Sequence, residues 1–126
     1  MNNKSLMHLI NQIEGYKVGI TNLHWSADNM SRHKLCDELF DVVKKNEDKM
    51  AELGQGLYGR IRVNDVKPIP YKVSSLSKLV KDLMYDVVDF SSKQDGVFDG
   101  GMKSIADDFV GDLGSYLYLN DLCDNE

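Results

Sequence analysis

Two histidines and three carboxylates in the first half of the chain offer the chemistry of this sequence: His24, His33, Asp37, Asp48 and Glu52. Imidazole nitrogen mixed with carboxylate oxygen is a donor set that suits iron. His33 and Asp37 stand four residues apart, and so do Asp48 and Glu52. On a helix turning 100° per residue, His33, Asp37, Asp48 and Glu52 fall at about 0°, 40°, 60° and 100°, along one strip. His24 closes the preceding helical segment, beside the turn, where it can approach His33. Asp37 and Asp48, however, are eleven residues apart, which is three turns or ~16 Å along the axis. Metal–ligand bonds are ~2 Å long, so the two pairs cannot hold one ion within one chain. Either they are two half-sites or they are unrelated. A two-fold axis crossing between them would bring His33 and Asp37 of one subunit against Asp48 and Glu52 of its partner, making two equivalent sites. The spacing thus predicts an oligomer from chemistry rather than from hydrophobicity.

Four amphipathic segments must position these residues. In the first, Leu6, Leu9, Ile10, Ile13, Tyr16, Ile20 and Leu23 recur at steps of three or four, the helical period. Gly15 and Gly19 weaken its propensity but sit one turn apart, where they admit a closely packed neighbour. Asp28, Asn29 and Ser31 break the pattern and supply capping oxygens for a second helix, from about Ser31 to about Tyr58. Its apolar stripe is Leu35, Leu39, Val42, Val43, Met50, Leu53 and Leu57, with Gly54, Gly56 and Gly59 loosening its end. Residues 60–74 show no helical period, and Pro68 and Pro70 hold them extended. A third helix is expected from about Ser75 to Ser92, a turn-rich break at QDGVFDGG, and a fourth helix from about Met102 to Leu122.

The reading is all-α, a ferritin-like four-helix bundle in one domain over residues 1–126. A second helix of ~27 residues is ~40 Å long, and fifteen extended residues reach at most ~50 Å. The prolyl segment is therefore long enough to run back along the whole bundle, the single long crossover between helices 2 and 3 of ferritin-like folds. An up-down-up-down bundle would need only a few residues there.

The chain has 126 residues, 42% hydrophobic and 28% charged, the profile of an ordinary globular protein. No apolar run approaches ~20 residues, which excludes a membrane span. The opening MNNKSLMHLI lacks the order of a signal peptide, and Cys36 and Cys123 lack metal-site spacing, so a cytoplasmic setting is expected. Net charge is −5, and only Lys4 precedes the first helical pattern, so nucleic acid is not a favoured partner.

The stretches LHW (23–25), HKLCDELFD (33–41) and EDKMAE (47–52) resemble the Dps or miniferritin family. That family's signature reads His-Trp, then His-x-x-x-Asp, then a second Asp eleven residues on and a Glu four further. The run LINQIEGYKVGITN is similar to its first helix, and the resemblance covers roughly residues 5–58. It implies a ferritin-like subunit, within a dimer at least and usually a hollow dodecamer, that oxidises Fe(II) with peroxide or oxygen and stores ferric mineral. It implies that His24, His33 and Asp37 come from one subunit and Asp48 and Glu52 from the other, with Trp25 beside the site. Iron is the implied metal, with zinc as a substitute ion. The segment between His24 and His33 is shorter than the family's and lacks its Gly-x-x-Phe.

Each pair alone has an ordinary explanation, since acidic i,i+4 pairs and His/Asp contacts are common on solvated helix faces. Jointly, two of only three histidines and three matching spacings favour a metal site. His8 fits no motif and is expected at the surface. Trp25 is balanced between core and redox partner; Met30, Met50, Met84 and Met102 read as packing, and Cys36 as a packing residue beside the site. Asp107, Asp108 and Asp112 read as a solvated face, with a cage entry pore as the alternative. The rival to a ferroxidase is a non-catalytic ferritin-like oligomerisation or interaction protein with a degenerate metal site.

Overall fold

The structure, a computed structural model, describes residues 3–124. They form α1 (Asn3–Trp25), α2 (Met30–Tyr58), α3 (Leu76–Ser92) and α4 (Gly100–Cys123), with no strand among the described residues. This all-α arrangement of four helices fits a four-helix bundle. Among the described residues no helix is long and apolar enough to cross a membrane. The helix starts follow the capping residues. The Asn29 side chain accepts from the Arg32 amide (2.8 Å) and the Ser75 hydroxyl from the Lys78 amide (3.1 Å). At the start of α4, Asp99 turns its carboxylate instead to the Tyr58 hydroxyl (2.7 Å) and the Gly96 amide (3.0 Å).

α2 ends at Gly59, whose φ of 108° is open to glycine and strained for other residues. Gly54 and Gly56 do not end it earlier, because the Cβ-less edge at Gly54 is filled by Leu6 of α1. Leu57, expected inward, is exposed, since the core stripe has rotated past it in the last turn.

One core unites the four helices. Ile13 and Ile20 of α1, Leu39 and Met50 of α2, Leu83 of α3 and Phe109 of α4 are fully buried within it. Each such side chain contributes about 1.5–3 kcal/mol on burial. α1 packs against α2 and α3, and α4 packs against the same two; α2 and α3 lie diagonally. The segment joining α2 to α3 lies against α1. There the Lys67 amide donates to Asn11 Oδ1 (2.8 Å) and the Ile69 amide to the Asn11 carbonyl (2.9 Å). Gly15 and Gly19 are the residues that let this segment close on the helix, with the Ile69 carbonyl over the first and Tyr71 and Val73 over the second. Tyr71 then donates to Asp82 of α3 (2.6 Å) and lies 4.6 Å, ring to ring, from Tyr16.

An ionisable group lies inside the α1–α2 contact. Glu47 is 6% exposed; Lys17 bridges it (2.9 Å) to Glu14 (2.8 Å), and Glu47 Oε2 has no hydrogen-bond partner. Burial, and then the neighbouring Glu14 carboxylate, push the Glu47 carboxyl up to about 8, with Lys17 opposing. Because the folded value lies above the usual 4.5, the native state keeps a proton that the unfolded chain has lost between those limits. Stability therefore falls as pH rises from about 4.5 to about 8. Glu47→Gln keeps the shape of the protonated form and removes this dependence. The variant is expected to be more stable than wild type at pH 8.5 by on the order of 2 kcal/mol, and similar at pH 5. Thermal melts across that range decide it; parallel pH slopes for the two proteins would refute the assignment.

Candidate metal centre

The turn between α1 and α2 is anchored to α4. Arg32 donates through Nε to Asn120 (3.0 Å), through Nη1 to Asp28 (2.5 Å) and through Nη2 to Asp124, while Asn29 donates to the Cys123 carbonyl (3.2 Å). This clasp fixes the two histidines on either side of the turn. Their rings stack at 3.9 Å with planes 20° apart. The contact is reciprocal: His24 Nδ1 meets the His33 carbonyl at 2.7 Å, and His33 Nδ1 meets the His24 carbonyl at 2.8 Å. A carbonyl oxygen only accepts, so both Nδ1 atoms carry the proton. In the neutral rings each Nε2 then bears the lone pair that a metal ion takes, and the backbone bond holds the ring orientation, the usual support of a ligating histidine.

His24 and Asp37 line one cavity of about 160 Å³, together with Ile20, Thr21, Cys36 and Phe40. Asp37 is exposed and His33 half-buried. Cys36 is fully buried, and burial pushes its thiol up to about 11, which keeps it a protonated packing residue. Asp48 and Glu52 are exposed and line a separate cleft of about 370 Å³ with Asp41 and three lysines. There Lys44 Nζ lies 3.1 Å from Asp48 Oδ2. The structure thus brings His24 to His33 and to Asp37, and keeps Asp48 and Glu52 apart from them. Among the described residues no three His, Cys, Asp or Glu side chains form a group able to hold a metal ion within the chain.

Trp25 is 76% exposed and does not line the cavity, so it is not a core residue. His8 is exposed; Met50 and Met102 are buried and Met84 partly so, but Met30 is exposed. Asp107, Asp108 and Asp112 are exposed on α4, with Asp107 accepting from Ser91 (2.6 Å). The sequence reading missed the Lys17–Glu14–Glu47 group. Its signal was present: Cys36, Phe40, Val43, Glu47, Met50 and Gly54 follow alternating steps of four and three, which places Glu47 in an inward row. The chain matches no protein-family model, no curated protein and no solved structure.

Proposed function

We propose that this chain oxidises Fe(II) at a site shared by two copies of itself, in the manner of Dps proteins or miniferritins, and stores or detoxifies the iron. The observation that carries the reading is the reciprocal bonding of His24 and His33, which leaves both Nε2 atoms free to ligate, with His24 lining one cavity together with Asp37. Asp37 gives this half-site only one carboxylate for the harder ferric product. Asp48 and Glu52, on the same strip of α2 and free of the first cavity, supply further carboxylates from the partner. Fe(II) is the substrate: two ferrous ions give one electron each, and one peroxide with two protons becomes two waters. Oxygen is the alternative oxidant, and zinc competes as a non-reacting substitute. The fold is then ferritin-like. Supporting it are the diagonal placement of α2 and α3 and the position of the 59–75 connection against α1, as a long crossover requires. The working unit is a dimer at least, extending to a dodecameric cage in the cytoplasm, with no role for nucleic acid in a chain of net charge −5.

The test is oligomeric mass together with Fe(II) oxidation followed by absorbance under air and under added peroxide. A self-associated protein that oxidises iron several-fold faster than buffer supports the reading, and a monomer with no turnover sinks it. One observation favours a non-catalytic helical interaction protein instead: the Asp48 carboxylate is already engaged by Lys44. Purified protein that retains no iron or zinc, and whose melting temperature ignores both, would select that second reading.

A further inference from the structure

The outward strip of α2 carries charges that the iron site leaves unused, and two of them, of opposite sign, lie at its middle. Asp41 and Lys44 are exposed, and on the helical wheel they fall at about 80° and 20°, inside the strip bounded by His33 and Glu52. His33 with Glu52, and Asp37 with Asp48, are both centred on the peptide between Val42 and Val43. Asp41 with Lys44 is centred there too. When α2 pairs with a second α2 antiparallel about a two-fold axis through that point, each member of such a pair meets the other member across the axis.

We propose that Asp41 of each copy pairs with the partner subunit's Lys44, once on either side of the axis, and that this double ion pair sets the register in which the half-sites close. The inference rests on the shared site proposed above and names what holds it in register. The occupant of this face is a second copy of the chain, argued from charge complementarity: the register that joins His33 to Glu52 and Asp37 to Asp48 also opposes unlike charges at the axis. A slip of one turn in one direction would set Asp41 against the partner subunit's Asp48 and Lys44 against the partner subunit's Lys45, like against like. Lys44 also has a second role. In the separate chain it holds Asp48 at 3.1 Å; drawn to the partner subunit's Asp41, it releases that carboxylate for iron.

The experiment is sedimentation equilibrium of iron-free protein, with far-UV circular dichroism confirming that each variant is helical. Asp41→Lys and Lys44→Asp each weaken self-association by about tenfold or more, because each turns two attractive contacts into two repulsive ones. The exchange Asp41→Lys/Lys44→Asp recovers the wild-type constant to within about threefold, the signature of a direct pair. Neutral Asp41→Asn and Lys44→Gln weaken it by roughly threefold and keep the test usable should a reversal unfold the chain. Wild-type association in both single reversals, or a double exchange no better than the singles, overturns the register while leaving the shared iron site standing. A wild-type chain that stays monomeric overturns both.

Discussion

Asp37→Ala and Glu52→Ala proteins, each nearly inactive alone, should recover about a quarter of wild-type Fe(II) oxidation when mixed, dissociated and reassociated. The fraction follows from symmetry. In a dimer with two equivalent composite sites, an equimolar mixture places half of the chains in mixed dimers. In each mixed dimer, one site takes its histidine side from the Glu52→Ala chain and its carboxylate side from the Asp37→Ala chain, and so is intact. The other site carries both lesions. Each variant alone should be slower on the order of 100-fold, because loss of even an outer partner of a metal ligand typically costs 10–100-fold and these are the proposed ligands themselves. The control is a mixture of Asp37→Ala with His33→Ala. Both lesions then lie in the same half-site, no mixed dimer has an intact site, and activity stays at the single-variant level. Equal recovery in the two mixtures, or full activity in either single variant, would exclude a site built across two chains. The measurement needs only initial rates of ferric absorbance and reads the arrangement without a structure of the assembly.

The elements of this fold were legible because its helices are long, periodic and bounded by residues with local roles. Asn29 caps α2 where a capping oxygen was expected, α3 begins beside Ser75 as its period suggested, and Gly15 and Gly19 admit the neighbour that their spacing suggested. The same spacing logic divided the candidate ligands into two groups, and the structure keeps Asp48 and Glu52 in a cleft of their own. What spacing could not supply was the state of each group. The Nδ1 bonds that select the histidine tautomers depend on the close return of the chain at residues 26–29, a three-dimensional property of a short turn. Glu47 was lost for a different reason. Its neighbours Lys44, Lys45, Asp48 and Lys49 make the local sequence read as a solvated face, and only the alternating four-three row shows that its side chain points at α1. Leu57 erred the other way, apolar but past the point where α2 leaves the core.

Gly15→Ala should destabilise the protein by roughly 2–3 kcal/mol, about 10 °C in Tm, although alanine is the better helix former. A Cβ built at Gly15 would lie 1.8 Å from the Ile69 carbonyl oxygen and 3.0 Å from its carbon. Those are backbone atoms, so no rotamer change relieves the overlap, and the connection must lift from α1. Lifting it removes the Ile69–Asn11 hydrogen bond (2.9 Å), worth about 1 kcal/mol. It also loosens the seat of Tyr71, whose ring lies against Tyr16 and whose hydroxyl reaches Asp82. Against these losses stands a propensity gain of about 1 kcal/mol for replacing glycine in a helix. Gly56→Ala isolates that gain, because a Cβ there has nothing within 4 Å, and it should stabilise by up to about 1 kcal/mol. The opposite signs of two identical substitutions make the contrast independent of the unfolded state, which both change alike. Chemical denaturation of the three proteins decides the matter. If Gly15→Ala tracks Gly56→Ala upward, the connection does not rest on α1 as described, and the crossover that the ferritin-like reading requires loses its anchor. If it falls as expected while self-association is kept, the two sides of α1 are separable: one face binds the connection, and the other, at Lys17, Thr21 and His24, belongs to α2 and the proposed iron site.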